Sequence, residues 1–275
     1  MLTRNLAVCS LLLSGVFAAP PALADLIFSS PPRESRAKGE EVYQPIADYL
    51  SRVAGQKVIY RYPENWLVYQ RDMQRGDYDI VFDGPAFIGW RQDRQGHVPL
   101  VKLPGKLSFV VAVKKEQEKI QELKQLAGRA VCAFPPPNLA TLTVLYEFDN
   151  PSRQPLIVET QSFPEAYKGV MNGKCVAGIL QAKMYEKLAA EQGGARVIFS
   201  SRALPNQAFT AGPRLASDLK DKITAALLSP EGKIATQKLR GEFKVEDFEP
   251  ATKAEYAGLG KLLRDTWGFD LAESR

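Results

Sequence analysis

The sequence predicts an α/β fold in which two α/β lobes surround a ligand cleft, and three observations lead to that prediction. Short apolar runs alternate with amphipathic segments from Leu26 onward, which predicts βαβ units and a largely parallel sheet. The same order of elements starts again near residue 108. No low-complexity linker separates the two series, so we expect two lobes joined by extended strands.

The first lobe is expected to comprise residues 25–107 and 202–275. Its helices are periodic: Val42, Ile46 and Leu50 fall on one face, and Gly55 and Gly76 end the first two helices. Strands are predicted at 26–30, 57–62, 78–83 and 99–103, and helices at 40–55, 64–76, 86–94 and 216–228.

The second lobe is expected to comprise residues 108–201. Its strands are predicted at 107–115, 129–134, 155–160, 174–180 and 195–201, and its helices at 139–148, 164–173 and 182–192. The chain then returns to complete the first lobe, so neither lobe is built from one continuous half of the sequence.

The first 24 residues predict a secretory signal peptide. One positive charge precedes a mostly apolar run, and small residues end the segment, with cleavage expected between Ala24 and Asp25. The apolar run is shorter than the roughly 20 residues that a membrane-spanning helix needs. A lipoprotein cleavage box at residues 6–9 is the less favoured alternative, because almost no apolar stretch precedes it.

Composition argues against several classes of function. The net charge is +5 without a basic run, which does not suggest a nucleic-acid partner. One histidine, His97, and two cysteines after the signal peptide are too few for a His/Cys metal site or a Ser-His-Asp triad. We therefore expect a binding protein without catalytic residues, metal or cofactor, and we expect His97 in a surface loop.

The two remaining cysteines, Cys132 and Cys175, are expected to pair, because exported chains with two cysteines usually form a disulfide. They fall on the predicted strands 129–134 and 174–180, which are the first and third strands after 107–115, and such strands are usually neighbours in a doubly wound sheet. The alternative is a pair of buried free thiols.

Candidate ligand-binding residues follow the predicted strands, because ligands of open α/β sheets lie beyond the carboxyl ends of the strands. Hydroxyl, amide and aromatic groups dominate these positions, without paired carboxylates or an activated nucleophile, which suits binding better than catalysis. The candidates are Ser29, Ser30, Tyr60 and Asp83 in the first lobe and Asn138, Leu139, Ala140, Thr141 and Gln181 in the second.

The run of three prolines at residues 135–137 ends a strand, and Asn138 is a good N-cap for the helix that follows. The amides of Leu139, Ala140 and Thr141 would then lie at a helix N-terminus, which favours an anion, and Thr141 would add a hydroxyl. The alternative is a capped helix that only solvates its own amides.

Two further patterns have structural alternatives. Asp83 ends a strand before Gly-Pro, where it would contact a ligand or cap the next helix, and capping is slightly favoured. Trp66, Tyr69, Phe87 and Trp90 recur at helical spacing, which favours core positions over ligand contacts.

Three stretches resemble the phosphate/phosphite/phosphonate-binding, or PhnD-like, family of ABC-transporter periplasmic proteins. They are VYQPIADYLSRVAGQKVIYRY at 42–62, MQRGDYDIVFDGPAFI at 73–88 and LKQLAGRAVCAF at 123–134. The resemblance covers most of the mature chain. It implies a type II periplasmic-binding-protein fold without catalysis, a periplasmic location, and capture of a small anionic ligand for an ABC permease in the inner membrane. We also expect a monomer.

The chain departs from that family in two places. Relatives that bind phosphonate usually carry a Ser-Thr-Ser-like run where this chain has PPNLATL at 136–142, and Gln181 replaces an acidic or hydroxyl residue. An alternative function is a sensory protein that presents an oxyanion to a sensor histidine kinase. If Cys132 were reduced and faced the cleft, arsenic would be a candidate oxyanion for this alternative, because arsenic-sensing relatives use a cleft cysteine.

Overall fold

The computed structural model describes residues 24–267, so the predicted signal peptide, apart from Ala24, lies outside the described residues. The strands are β1 Leu26–Ser29, β2 Val58–Tyr60, β3 Ile80–Asp83, β4 Val98–Lys102, β5 Lys106–Leu107, β6 Phe109–Lys114, β7 Ala130–Ala133, β8 Leu156–Glu159, β9 Ala177–Gln181, β10 Ala195–Ser200, β11 Leu204–Pro205, β12 Ala208–Ala211 and β13 Glu249–Pro250. The helices are α1 Arg36–Ala54, α2 Trp66–Arg75, α3 Pro85–Gln95, α4 Leu139–Leu145, α5 Phe163–Met171, α6 Ala182–Gln192, α7 Ser217–Leu228, α8 Pro230–Ala235, α9 Gln237–Phe243, α10 Lys253–Tyr256 and α11 Lys261–Trp267.

Six strands form the first sheet, in the order β13-β4-β12-β3-β1-β2. Strand β1 pairs in parallel with β2 and β3, as the alternation of strands and helices predicts. Strand β12, which comes from late in the chain, lies antiparallel between β3 and β4. The sheet is therefore mixed, because a returning strand enters it near its centre.

Five strands form the second sheet, in the order β10-β6-β9-β7-β8. Strand β7 pairs in parallel with β8 and β9, whereas β6 is antiparallel to both β9 and β10. The parallel strands β7, β8 and β9 end at the same edge of this sheet, so the residues after them lie together.

The chain crosses between the two sheets through a two-stranded ribbon. Strand β5 leads from the first sheet to the second and β11 leads back, and they pair antiparallel, with Leu107 opposite Leu204 and Lys106 opposite Pro205. We call this ribbon the hinge. The predicted lobe boundaries, at residues 107/108 and 201/202, stay a prediction.

Helix α1 shows why these segments fold as they do. Val42, Ile46 and Leu50 are buried on its inner face, and Gly55 ends it with a φ of 67°. Gly76 ends α2 in the same left-handed conformation, with a φ of 74°, which favours glycine. Among residues 24–267, no helix has both the length and the apolar character that a membrane crossing requires.

Cys132 and Cys175 form a disulfide, with their Cα atoms 5.6 Å apart, which confirms the expected pairing. Cys132 lies on β7, and Cys175 lies two residues before β9, the neighbouring strand. Both sulfur-bearing residues are buried against Val158 and Ala166. The disulfide therefore ties two adjacent strands of the second sheet beneath α5.

His97 is buried, so the expectation of a surface loop was wrong. Its Nδ1 lies 3.1 Å from the Thr210 hydroxyl on β12, and only 2% of the residue is exposed. Gly212 makes room for the ring, since a Cβ added there would lie 2.9 Å from Nε2. Burial, with the nearby charges of Arg91 and Lys220, lowers the pKa of His97 to about 3.

Replacing both cysteines, as Cys132→Ala with Cys175→Ala, should lower the free energy of unfolding by about 4 kcal/mol in the loop-entropy model. The disulfide closes a loop between residues separated by 43 positions, and its loss frees that loop in the unfolded chain. Urea denaturation of the oxidised protein and the variant measures the difference. Equal unfolding free energies would show that the disulfide contributes nothing to stability.

Folding stability should fall as the pH drops from about 6.5 towards 3, because an unfolded histidine binds a proton that the buried His97 excludes. This contribution is complete above pH 6.5, and about 2 kcal/mol of it is lost by pH 5. His97→Asn should remove that part of the pH dependence, measured as the difference between the two unfolding curves across the range. Parallel curves for the two proteins would contradict the assignment.

Candidate ligand-binding cleft

A cleft of about 500 Å³ is lined by residues of both sheets. In the first sheet, Arg33 follows β1 and Gly84 follows β3. In the second sheet, Pro135 follows β7, Gln161 follows β8 and Gln181 ends β9. The cleft therefore lies at the carboxyl ends of the strands, where ligands of α/β sheets bind.

Four of the residues predicted to bind ligand line this cleft: Asn138, Leu139, Ala140 and Gln181. Asn138 caps helix α4, because its Oδ1 accepts a hydrogen bond of 3.0 Å from the amide of Ala140. The cap thus uses one of the three amides that the sequence had suggested for an anion.

Thr141 lies behind the cleft wall. Its hydroxyl donates a hydrogen bond of 2.5 Å to the carbonyl of Phe134, at the end of β7, and the residue is fully buried. The side chain thus fastens the proline loop to the first turn of α4. Its predicted contact with a ligand stays a prediction.

Ser29, Ser30 and Tyr60 also lie outside the set of cleft-lining residues. The Ser29 hydroxyl donates to the carbonyl of Arg61 at 2.8 Å, and the Ser30 hydroxyl lies 3.0 Å from that of Tyr60. The two serines are fully buried and Tyr60 is 8% exposed. These hydrogen bonds join the ends of β1 and β2, and a role of the three residues in binding stays a prediction.

Asp83 is fully buried and is occupied by neighbours within the protein. Its carboxylate accepts hydrogen bonds from Tyr69, from the amide of Gly84 at 2.7 Å and from Arg91 at 3.3 Å. Its other ionic neighbour is Arg33, at 3.7 Å. Burial raises the pKa of Asp83, while Arg91 and Arg33 act to lower it.

Arg91 completes this buried cluster beneath the start of α3. Its guanidinium is fully buried, donates to Tyr69 at 2.7 Å, and lies over the rings of Tyr69 and Tyr78 at 5.4 and 5.7 Å. Asp83 on β3 and Arg91 on α3 thereby fix the turn at Gly84, and this turn lines the cleft on the side of the first sheet.

Arg33 is the one charged side chain that lines the cleft within residues 24–267. It is 33% exposed, and its terminal nitrogen would lie 3.3 Å from a Cβ added at Gly84. Ser29 and Ser30 were predicted to bind ligand because they lie at the carboxyl end of the first strand. Arg33 lies a few residues further along the same loop. Arg33 was nevertheless left out of the predicted binding residues, because the direction of the loop was unknown from the sequence.

Aromatic side chains on both sides of the cleft were also missed. Trp66 and Phe87 were expected in the core, and Phe87 is 4% exposed in a core cluster against which Trp66 packs. Both residues also line the first-sheet side of the cleft, and their rings stack at 6.0 Å and 17°. Phe134 and Phe163 line the opposite side, with ring centroids 5.1 Å apart and an edge-to-face angle of 83°. Tyr69 and Trp90 are buried, as expected.

The remaining polar lining consists of neutral amides: besides Asn138 and Gln181, Gln161 and Gln207 face the cleft. Over the part of the chain that the structure describes, no group of three or more His, Cys, Asp or Glu residues could hold a metal ion. The arrangement offers one positive charge, amide hydrogen bonds and apolar walls, which suits a small anionic ligand.

Replacing Asp83 by Asn should lower the free energy of unfolding by about 3 kcal/mol, because the buried charge of Arg91 loses its counter-ion. Asp93→Asn, on the exposed face of the same helix, is the matched control and should change stability little. Chemical denaturation of both variants measures the effect. Similar losses in the two would show that the buried pair does not support the α3 turn.

Known proteins share this fold. A family model described as the periplasmic substrate-binding protein of phosphonate ABC transporters matches residues 28–256. A search of curated proteins found no match.

Solved structures of low sequence identity share the fold. The XAC2383 protein of Xanthomonas citri, bound to ATP, has a TM-score of 0.68 at 12% identity and covers 90% of this chain and 99% of its own. The PhnD1 protein of Prochlorococcus marinus, in complex with methylphosphonate, has a TM-score of 0.61 at 13% identity, covering 88% and 97%. A binding protein of a phosphonate ABC transporter from Pseudomonas aeruginosa has a TM-score of 0.57 at 14% identity, covering 90% and 87%.

The two sheets, the hinge and the cleft between them are those of a type II periplasmic-binding-protein fold with two α/β lobes. The family model spans far more than half of the sequence. The chain belongs to the family of periplasmic phosphonate-binding proteins of ABC transporters.

Proposed function

We propose that this protein captures a small oxyanion of the phosphate, phosphite or phosphonate type in the periplasm and delivers it to the permease of an ABC importer. Export would use the predicted signal peptide at residues 1–24. The observation that carries the proposal is the lone positive charge of Arg33 in a cleft whose other described lining residues are uncharged. The phosphonate in the family's description supports the same class of ligand.

The charge of Arg33 is available to a ligand. Asp83 lies 3.7 Å from it, and that carboxylate already accepts bonds from Arg91, Tyr69 and the Gly84 amide. Arg33 also interacts with the adjacent Glu34, which does not line the cleft. Helix α3 begins beside Arg33 without a side-chain cap, and the positive end of its dipole adds to the guanidinium charge. An oxyanion bound here would receive charge-assisted hydrogen bonds.

The second lobe supplies neutral partners for the same ligand. Asn138 and Gln181 line the cleft on that side, and their amide groups can donate to oxygen atoms of the ligand. This assignment keeps four predicted residues as proposed contacts: Asn138, Leu139, Ala140 and Gln181.

Arsenic binding through the thiol of Cys132 is not supported, because Cys132 is fully buried, is joined to Cys175 and is not among the residues that line the cleft. A sensory role for an oxyanion-binding protein remains a prediction of the sequence, and no contact of the described residues favours it over transport.

The proposal is tested by calorimetric titration of the mature chain with methylphosphonate, phosphite, phosphate and a neutral sugar. We expect an oxyanion to bind and the sugar not to bind. Arg33→Gln should weaken oxyanion binding roughly ten- to a hundredfold, because a hydrogen bond to a charged group contributes about 1.5–3 kcal/mol.

Arg36→Gln is the matched control, because Arg36 is 49% exposed and pairs with Glu40 and Glu64 on the surface. It should leave binding unchanged. Unaltered affinity in Arg33→Gln, with both variants folded by circular dichroism, would refute the proposed role of Arg33.

A further inference from the structure

We propose that the ligand of this cleft is an organic acid that carries one anionic group and one apolar, preferably aromatic, substituent. Inorganic phosphate and aminophosphonates would then be poor ligands. The inference rests on the proposed function, since it assumes that Arg33 holds the anionic group, and it assigns the rest of the ligand from the walls of the cleft.

The charge of the lining limits the ligand to an anion without a cationic group. Arg33 supplies one positive charge, and no acidic side chain among the described residues lines the cleft. Asp83, the carboxylate within salt-bridge distance of Arg33, is fully buried and paired with Arg91. A ligand ammonium would therefore lose its hydration without gaining a counter-ion, which is costly.

Two aromatic pairs face the cleft from opposite lobes. Trp66 and Phe87 form a stacked pair at the start of α2 and α3, and Phe134 and Phe163 form an edge-to-face pair beyond β7 and at the start of α5. All four residues line the cleft. A flat apolar group held between the two pairs would contact an aromatic surface on both sides.

The loop between β7 and α4 extends this apolar surface. Residues 135–137 are three consecutive prolines that line the cleft, and a proline has no backbone N–H to donate to a ligand. Leu107 of the hinge and Leu139 of α4 add aliphatic surface. An inorganic oxyanion would leave these apolar side chains exposed to water, whereas an apolar substituent on the ligand would cover them.

The size of the cleft agrees with a substituted ligand. Its volume of about 500 Å³ lies within the range of pockets that take drug-sized molecules. The amides of Gln161 and Gln207 give such a ligand neutral hydrogen-bonding partners away from Arg33.

Competition among four probes tests the inference on the mature chain: phenylphosphonate, methylphosphonate, 2-aminoethylphosphonate and inorganic phosphate, each titrated calorimetrically. Phenylphosphonate should bind at least about tenfold more tightly than methylphosphonate, because it buries more apolar surface. Phosphate and 2-aminoethylphosphonate should bind more weakly than methylphosphonate. Binding of phenylphosphonate that is equal to or weaker than that of methylphosphonate would overturn the inference.

The aromatic contacts are tested by Phe134→Leu, which keeps an apolar side chain but removes the ring. It should reduce the ratio of phenylphosphonate affinity to methylphosphonate affinity several-fold. Tyr146→Leu, which replaces an exposed ring outside this cleft, is the matched control and should keep the preference. An unchanged preference in Phe134→Leu would also overturn the inference.

The inference and the proposed function fail in different ways. If no oxyanion binds, or if Arg33→Gln binds every probe as tightly as the unaltered protein, the proposed function fails and the inference fails with it. If methylphosphonate binds through Arg33 but phenylphosphonate has no advantage, the proposed function stands and only the inference is lost.

Discussion

The buried ion pair between Asp83 and Arg91 fixes the geometry on which the cleft depends. One partner ends a central strand of the first sheet and the other lies on α3, so the turn between them is held at both ends. Breaking a pair of this kind leaves an uncompensated charge in a low-dielectric interior. Arg33 lies against the other oxygen of the same carboxylate, so the cleft cation takes its position from the pair.

The order of the strands explains how two lobes can share one binding surface. The chain leaves the first sheet through β5 and returns through β11 to place β12 at the centre of that sheet. Phe209 on β12 packs against Phe28 and Phe82, so the returning strand is held within the core of the first lobe. The two lobes also share apolar clusters, since Ile88 of α3 belongs to the same cluster as Val111 of β6, and Leu142 of α4 belongs to the same cluster as Tyr69 of α2.

Much of the fold could be predicted because its signals are local. Apolar periodicity located the strands and helices, and Gly55 and Gly76 marked helix ends that require a left-handed backbone. The site was less predictable, since periodicity identifies an apolar face but not what covers it. Trp66 and Phe87 belong to faces that border the cleft, and His97 lies beneath a strand that arrives more than one hundred residues later.

Leu107 belongs both to the hinge and to the cleft wall, since it pairs with Leu204 and lines the binding surface. The ribbon that joins the two sheets is therefore also part of the wall that a bound ligand would contact. The size of a bound ligand in contact with Leu107 would then influence the angle between the two lobes. A membrane partner that recognises that angle would therefore respond to the size of the bound ligand.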